Sequence, residues 1–342
     1  MIKTNVIRAP SSKEHSEASA SPCRRVIACV DGSEPNQRII PHALAVATAL
    51  DAPLTLLRVV EPPPADSLPQ DPVEWEIRRR EALDDLDRLA QRHGAGGGRI
   101  EAEIVDGQPA EQIAFWARDQ QVDLIVLSTR GEHRTGKWSL GSTARSLAEL
   151  ECGSLLFVPP SMAEGPVPSY RRLLVPLDGS CRAESVLPRV TRLAQAHDAE
   201  ILLAHAVPVP ELTEIGPLEA EDLALRERLV RRNELVGQRY LNRIRGRLAD
   251  NGVTVRGVVL RGGDIRSGLV DLAIREHVDL IVLAAHGCTG RPDVPYGSVT
   301  GYMMTHSPVP LLVVRPRSAL SAGDAAAMDK PAKVRMPGRA AL

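Results

Sequence analysis

The sequence predicts an α/β protein with two tandem parallel-sheet domains. Two observations carry this prediction. β-branched apolar runs alternate with amphipathic helical segments, which is typical of parallel sheets with right-handed crossovers. The whole order then repeats, because the hexapeptide VDLIVL occurs at 122–127 and again at 278–283, 156 residues later (278 − 122). Each copy reads as a buried strand of a parallel sheet.

Length and composition agree with a globular protein of two domains. At 342 residues the chain is long for one core, and two domains of roughly 150 residues are expected. Apolar residues make up 43% of the chain, charged residues make up 25%, and the formal net charge is −1. This charge gives no broad attraction to nucleic acid or to an anionic membrane, so neither is an expected partner.

The cysteines and the N-terminal segment indicate a cytoplasmic protein. The five cysteines are odd in number and form no C-x-x-C pair, so the sequence predicts neither a disulfide framework nor a zinc site. Residues 1–22 are polar where a signal peptide needs an apolar core, and no later run reaches membrane-spanning length. We therefore predict a disordered leader over 1–22 and a cytoplasmic location.

The first domain is predicted over 23–159. Its strands are expected at 25–30, 54–60, 100–105, 122–129 and 155–159, and its helices at 35–50, 74–92, 110–119 and after Ser142. The tripeptide D-G-S follows the first strand, and Asp31 or Ser33 is placed to cap the next helix.

A linker is predicted over 160–170, and the second domain, over 171–317, repeats this order. Its strands are expected at 172–177, 201–207, 253–260, 278–284 and 311–314, and its helices at 218–249, 265–275 and after Gly297. The D-G-S tripeptide recurs after 147 residues (178 − 31). The longer helix of the second half is expected to hold the nine residues by which the offset then grows to 156. Residues 318–342 lack periodicity and are predicted to form a disordered tail.

The strongest ligand signal follows the fourth strand of the second half. Gly287 and Gly290 can adopt φ > 0 and turn the backbone sharply as the strand ends. Gly297 and Ser298 then open a short helix whose free N–H groups would face the strand end, an arrangement that suits a phosphate. Ligands of open parallel sheets bind where the strand order reverses, so Asp178 is expected to lie beside Gly287.

These motifs resemble the universal stress protein family, and the whole chain resembles a tandem member of it. The resemblance rests on the two D-G-S tripeptides, the two VDLIVL strands and the Gly-Ser pairs at 141–142 and 297–298. It covers about 24–159 and 171–316. It implies that each half is a five-stranded parallel sheet of the Rossmann-like, adenine-nucleotide α-hydrolase-like type. ATP-binding members carry an Asp after strand one, and G-x-x-G, nine residues and G-[ST] after strand four.

The resemblance implies a site for ATP, with or without Mg²⁺. In the second half Asp178 would contact the nucleoside or its metal, and the end of the second strand near Ala206 would line the base. The residues expected to hold the phosphates are Gly287, Gly290, Gly297, Ser298 and Val299. The matching positions of the first half are Asp31, Gly131, Gly141 and Ser142.

Both halves depart from the ATP-binding pattern. Only six residues separate Gly290 from Gly297, and the same six-residue gap recurs in the first half. Arg134 there replaces the second glycine. That arginine must avoid φ > 0, which non-glycine residues seldom adopt, or else bond a phosphate. We expect the second half to bind the nucleotide and the first site to be degenerate.

Each candidate residue also has a purely structural interpretation. Asp31 and Asp178 suit turns or helix caps, Ser142 and Ser298 suit helix caps, and His286 suits a hydrogen-bonded structural position. Three functions stay open: an ATP-binding stress-response regulator without dedicated catalysis, a slow ATPase, and a ligand-free interaction module with unknown protein partners. The sequence contains no Walker A motif, no H-x-G-H and no nucleophile–base pair, so no catalytic residue is predicted.

The fifth strands carry a prediction about assembly. The resemblance implies that single-domain relatives dimerise edge to edge through this strand. Here residues 155–158 and 311–314 are expected to pair within one chain and so hide both sheet edges. The expected state is an intramolecular pseudo-dimer, with a homodimer as a further option.

Overall fold

The computed structural model describes residues 23–33, 37–62, 71–94, 100–129, 140–160, 167–210, 219–288 and 294–315. The predicted leader and tail lie outside the described residues, as do Gly131, Arg134 and Gly290. The predicted domain boundaries stay predictions.

The first half contains the five strands that the sequence predicts. They are β1 (Val26–Cys29), β2 (Leu54–Val60), β3 (Ile100–Asp106), β4 (Leu124–Ser128) and β5 (Ser154–Val158). The helices are α1 (Ile39–Ala49), α2 (Pro72–Gly94), α3 (Pro109–Asp119) and α4 (Ser142–Glu149). The N-cap of α1 is Arg38. Residues 34–36, where the predicted helix begins, lie outside the described residues, so the cap expected there stays a prediction.

The second half repeats this pattern. Its strands are β6 (Arg172–Pro176), β7 (Glu200–Val207), β8 (Thr254–Arg261), β9 (Leu280–Ala284) and β10 (Leu311–Val314). Its helices are α5 (Cys181–Glu184), α6 (Leu187–His197), α7 (Ala220–Ala249), α8 (Ile265–Arg275) and α9 (Ser298–His306). Helix α6 was not predicted, although its buried residues Leu187, Val190, Leu193 and Ala194 recur at helical spacing.

The ten strands form one sheet in the order β3-β2-β1-β4-β5-β10-β9-β6-β7-β8. The strands are parallel within each half, and the only change of direction among these pairs is at β5 and β10. There Leu311 lies opposite Phe157 and Leu312 opposite Leu156. The predicted pairing of the fifth strands is confirmed, and it covers an edge in each half.

The strand register defines which residues correspond in the two halves. Val26 pairs with Leu54 and Leu173 pairs with Ile201, so the offset is 147 at the first two strands (173 − 26). The offset is 155 at β3 and β8 (255 − 100) and 156 at β4 and β9 (280 − 124). Most of the nine residues that the second half has in excess of the first therefore lie before β8. This agrees with the prediction that the longer helix holds them, since α7 has 30 residues and α2 has 23.

Apolar layers cover both faces of the sheet. Helices α1, α2, α6 and α7 contribute to one layer, and α3, α4, α8 and α9 contribute to the other. Each layer contains buried residues from both halves, so the halves share their cores. Among the described residues, no helix combines the length and apolar character needed to cross a bilayer.

Buried polar contacts also join the halves. The Nδ1 atom of His42 in α1 lies 2.8 Å from the hydroxyl of Tyr170, and both side chains are buried. Arg189 of α6 donates to Ser154 Oγ of β5 at 2.6 Å. Burial lowers the pKa of His42 to about 4, so the ring is neutral near pH 7. Tyr170 belongs to the predicted linker, yet it packs as part of the core.

Candidate functional site

A cleft of about 460 Å³ opens at the carboxyl ends of the second half's strands. It lies where β6 and β9 are neighbours. The chain leaves β6 for helices on one face of the sheet and leaves β9 for a helix on the other. This reversal of strand order is where open α/β sheets place their ligands.

Six of the predicted site residues line this one cleft. They are Asp178, Ala206, Gly287, Gly297, Ser298 and Val299. The expected proximity of Asp178 to Gly287 is confirmed. That these residues bind a nucleotide stays a prediction.

The carboxylate of Asp178 ties the end of β6 to the end of β9. Its Oδ1 atom accepts hydrogen bonds from the backbone N–H (3.0 Å) and the hydroxyl (2.6 Å) of Ser180. Its Oδ2 atom accepts from the backbone N–H of Cys288 at 2.5 Å. Partial desolvation by itself raises the pKa of Asp178, but the hydrogen bonds from Ser180 and Cys288 together outweigh it and lower the pKa. The group is therefore an anion at neutral pH.

Gly287 is required for close approach. A Cβ atom at this position would overlap Oδ2 of Asp178. Gly287 is not among the glycines with positive φ, so the expected left-handed turn is not adopted there. At this edge of the sheet, positive φ angles occur in the D-G-S turns instead, at Gly32 (91°) and Gly179 (87°). The carboxylate, and not the turn, is the physical reason for a glycine at 287.

The N-terminus of α9 faces the cleft with free donors. Gly297 is the N-cap, has no side-chain hydrogen bond and donates its own N–H to the carbonyl of Ala285 at 2.8 Å. The N–H groups of Ser298, Val299 and Thr300 have no acceptor within the helix, because they belong to its first turn. Ser298 is thus the first helical residue and not the cap. Three N–H groups at the positive end of a helix form an anion-binding arrangement.

Apolar side chains form the opposite wall of the cleft. Ala206 and Val207 come from the end of β7, Leu269 comes from α8, and Val236 comes from α7 together with the amide side chain of Asn233. Sequence reasoning missed Asn233 and Val236. They lie three residues apart on one helical face and match no motif, so no local signal marks them.

The histidines at the cleft have structural partners. His205 donates Nδ1–H to the carbonyl of Leu177 at 2.8 Å and packs edge-on against Tyr240. His286 donates Nε2–H to the carbonyl of Val294 at 2.8 Å. The interpretation of His286 as a hydrogen-bonded structural residue is confirmed. No group of three or more His, Cys, Asp or Glu side chains in the described part of the chain is placed to hold a metal ion.

Arg315 joins the cleft to the first half. Its Nη2 atom donates to the carbonyl of Pro295, two residues before Gly297, at 2.8 Å. The same atom donates to the carbonyl of Ala148 in α4 at 2.5 Å. Its side chain is 9% exposed. Sequence reasoning missed this residue, because it follows the last strand and lies far in sequence from both partners.

The first half retains the same backbone frame. Asp31 Oδ1 accepts hydrogen bonds from the N–H (2.9 Å) and the hydroxyl (2.6 Å) of Ser33. Gly141 is the N-cap of α4 and donates to the carbonyl of Thr129 at 2.8 Å, and Ser142 is the first helical residue. These contacts match those of Asp178 and Gly297. Gly131 lies outside the described residues.

The side chains at this edge differ between the halves. The position of His205 is taken in the first half by Arg58 (205 − 147). The Arg58 guanidinium lies against the D-G-S turn, since a Cβ atom on Gly32 would be 2.7 Å from its Nη2. At this edge of the first half, the positively charged guanidinium of Arg58 therefore lies where the second half has the ring of His205.

Comparison with known proteins assigns the family. The model of the universal stress protein family matches residues 22–153 and 169–315. A universal stress protein of Mycolicibacterium smegmatis is 25% identical over 304 residues, covering 85% of this chain and 97% of that protein. One from Thermus aquaticus is 33% identical over 134 residues, covering 39% of this chain and 97% of that protein.

A solved structure agrees on the fold. The crystal structure of a universal stress protein from Archaeoglobus fulgidus superposes with a TM-score of 0.60 and 17% identity, covering 85% of this chain and 98% of that one. The family model matches the two halves separately and together spans most of the chain. The chain belongs to the universal stress protein family, as a member with two such domains in tandem.

Proposed function

We propose that the cleft of the second half binds an adenine nucleotide, ATP in the first place, and that the protein acts as a stress-response regulator through this binding. The observation that carries the proposal is the meeting of three features in one cleft. These are the free N–H groups of α9, the ionised Asp178 and an apolar wall. A nucleotide needs all three, for its phosphates, its sugar or metal, and its base.

The phosphates would lie at the N-terminus of α9. Backbone N–H groups of Ser298, Val299 and Thr300 would donate to phosphate oxygens, and the helix dipole would favour the negative charge. The small N-cap, Gly297, leaves room for that approach. Gly290, which lies outside the described residues, belongs to the same expected cradle.

The base would lie against the apolar wall at Ala206 and Val207. Asp178 would face the sugar, or a Mg²⁺ ion bound with the phosphates, because its lowered pKa keeps it charged. Its three hydrogen bonds hold the carboxylate in place before ligand arrives, which reduces the ordering cost of binding.

We propose binding without dedicated catalysis. His205 and His286 each commit one ring nitrogen to a backbone carbonyl, and neither forms a pair with a nucleophile in the described residues. We further propose a cytoplasmic location, which agrees with five free cysteines. Slow hydrolysis of ATP is tested by measuring ADP release against a control without protein.

Calorimetric titration with ATP and Mg²⁺ tests the proposal. The wild-type chain should bind about one ATP, and Gly287→Ala should weaken binding by about a hundredfold or more, since its Cβ would displace Asp178. The matched control is Gly246→Ala in α7, where an added Cβ meets nothing within 4 Å. This control should bind ATP like the wild type.

The contrary result favours a different function. If millimolar ATP gives neither heat nor thermal stabilisation of the wild-type chain, the nucleotide proposal fails. The loop that is three residues shorter than in the ATP-binding pattern would then support a ligand-free interaction module, in which the joined sheet presents surfaces to other proteins.

A further inference from the structure

We propose that the first half carries a separate anion site, which binds a compact phosphate-bearing molecule such as inorganic pyrophosphate. The site is a cavity of about 220 Å³ between the D-G-S turn at Asp31 and helix α2. Three arginines line it: Arg58, Arg88 and Arg92. Among the described residues of the lining, Asp85 supplies the single carboxylate, so this part of the lining has an excess of two positive charges.

Helices α2 and α7 correspond at an offset of 155, as do the strands that follow them. Their buried faces agree with this offset, since Ala82, Leu86 and Leu89 match Gly237, Leu241 and Ile244. Arg88 and Arg92 thus correspond to Arg243 and Arg247 (243 − 88, 247 − 92).

In the second half both arginines of this pair contact one carboxylate. The carboxylate of Glu184 lies 3.6 Å from Arg243 and 3.1 Å from Arg247, and its side chain is 19% exposed. Tyr240 fills the space beside it, with its ring 5.5 Å from the Arg243 guanidinium and 5.7 Å from the ring of His205. By the same count the second half has an excess of one positive charge here, and both of its arginines already contact Glu184.

The first half replaces each of these three closing residues. Gln37 stands where the second half has Glu184 (184 − 147), Asp85 stands where it has Tyr240 (240 − 155), and Arg58 stands where it has His205. A neutral amide thus replaces the carboxylate, a short side chain replaces a ring, and a guanidinium replaces an imidazole. These exchanges open a cavity and make it positive.

The charges in this cavity are only partly balanced. Arg88 pairs with Asp85 at 2.8 Å. In the described part of the chain, Arg58 and Arg92 have no carboxylate within ion-pair distance. Two guanidinium groups that line one cavity and have no counter-ion among the described residues favour an anion by their charge, and their planar donors suit phosphate oxygens.

Size and lining restrict the ligand further. A volume of about 220 Å³ is below the range of pockets that enclose drug-sized molecules, roughly 300–1,000 Å³. The buried residues Val30, Leu86 and Leu89 form an apolar floor, and the charged groups surround it. A small molecule with one or two phosphate groups fits this combination better than a whole nucleotide.

The test is a titration of the full chain with inorganic pyrophosphate at low ionic strength, where exposed arginines are least screened. The wild type should bind in a saturable way. Gln37→Glu should weaken binding at least about tenfold, because it restores the carboxylate that the equivalent arginines of the second half contact. Arg58→Gln should weaken it comparably.

The matched control is Arg78→Gln, on α2, the helix that carries Arg88 and Arg92. Arg78 is exposed, pairs with Glu74 and does not line the cavity. Like Arg58→Gln, this variant removes one positive charge from the chain, but it removes it outside the cavity. It should keep pyrophosphate affinity within about twofold of the wild type. Thermal unfolding of each variant confirms that it is folded.

Gly287→Ala disrupts the nucleotide cleft and so separates the two sites: in this background Gln37→Glu should still weaken pyrophosphate binding at least about tenfold. In that background, competition by ATP would identify nucleotide phosphates as the ligand, and no competition would identify free phosphate compounds. The proposal is overturned if pyrophosphate binding is absent, or if Gln37→Glu and Arg58→Gln leave it unchanged. Neither result touches the proposal for the second half.

Discussion

At the carboxyl edge of the second half, His205 bonds the carbonyl of Leu177 and a cleft of about 460 Å³ opens beside it. At the same position of the first half, Arg58 lies against Gly32 and the neighbouring cavity has about 220 Å³. Yet both halves have the same aspartate turn and the same glycine N-cap before the last helix.

The difference shows which parts of a site the fold supplies. Backbone donors and the aspartate turn come with the strand order, and so both halves have them. The charge and the volume of the site depend on side chains from β2 and α2, or from β7 and α7, and these differ. A duplicated fold can therefore offer two sites of different chemistry on one sheet.

The largest expected effect concerns the joining of the halves. Leu312→Ala removes a fully buried side chain that faces Leu156 across the junction, and it should cost about 2–5 kcal/mol. Because the halves share their cores, they should unfold together. All three tryptophans, at 75, 116 and 138, lie in the first half. The midpoints of urea unfolding measured by tryptophan fluorescence and by circular dichroism should thus fall by the same amount.

If the fluorescence midpoint stays at its wild-type value while the circular dichroism midpoint falls, the halves unfold as separate units. The two halves would then be independent domains, despite their joined sheet.

The next effect contrasts two equivalent positions at the junction, His42 and Arg189 (189 − 42 = 147). Burial lowers the pKa of His42 to about 4, so protons bind the unfolded state first as the pH falls. The contribution of neutral His42 to the free energy of unfolding is complete above pH 6.5 and is lost between about pH 6.5 and 4. The loss amounts to at most about 3 kcal/mol.

Urea unfolding across this pH range should show a shallower pH dependence for His42→Gln than for the wild type. Arg189→Gln should leave the slope unchanged, since an arginine stays charged throughout. Equal slopes for the wild type and His42→Gln would contradict the assignment.

A smaller effect separates the two aspartates. Asp178 accepts from Ser180 and from Cys288, whereas Asp31 accepts from Ser33 in the described residues. Asp178→Asn should therefore destabilise the chain by about 1 kcal/mol more than Asp31→Asn at pH 7. The pKa of Asp178 is lowered on folding, so its advantage exists above the unfolded pKa and is lost as the pH falls through the folded value.

Chemical unfolding of both variants at pH 7 and pH 3 measures this difference. Equal losses at pH 7 would show that the bond to Cys288 adds nothing.

The smallest effect tests whether the first half supports the cleft of the second. Arg315→Met removes the donor that holds Pro295 against Ala148. Looser attachment of the segment before Gly297 should weaken ATP binding by about threefold, because its donors are less preorganised. Arg275→Met, at an exposed arginine of α8, is the control and should bind ATP normally. Lower stability with unchanged ATP affinity would leave Arg315 a purely structural role.

Much of the fold was predictable from local patterns. The strand Leu54–Val60, the helix Ile265–Arg275 and the strand Leu311–Val314 have the bounds that the sequence predicts. Their apolar periodicity reflects burial on one or both faces of the sheet, which neighbouring residues encode together. The same periodicity was present in Leu187–His197 and was missed.

The candidate site was only partly predictable. Motif spacing placed Asp178 beside Gly287, but it did not reveal that the glycine makes room for the carboxylate. Asn233 and Val236 reach the cleft through the packing of a long helix. No motif could mark them, because their neighbours lie far away in sequence.

By itself the sequence determined the duplication, the ten strands and the positions of the aspartate turns, since each depends on residues close together in the chain. Tertiary structure decided the register in which the fifth strands join the halves into one sheet, and it alone decided that the sites of the two halves differ in charge. The second outcome depends on Gln37, Arg58 and Arg88 meeting in one cavity. Residues that far apart leave no local pattern, and only the packing of helix against sheet brings their charges within reach of one ligand.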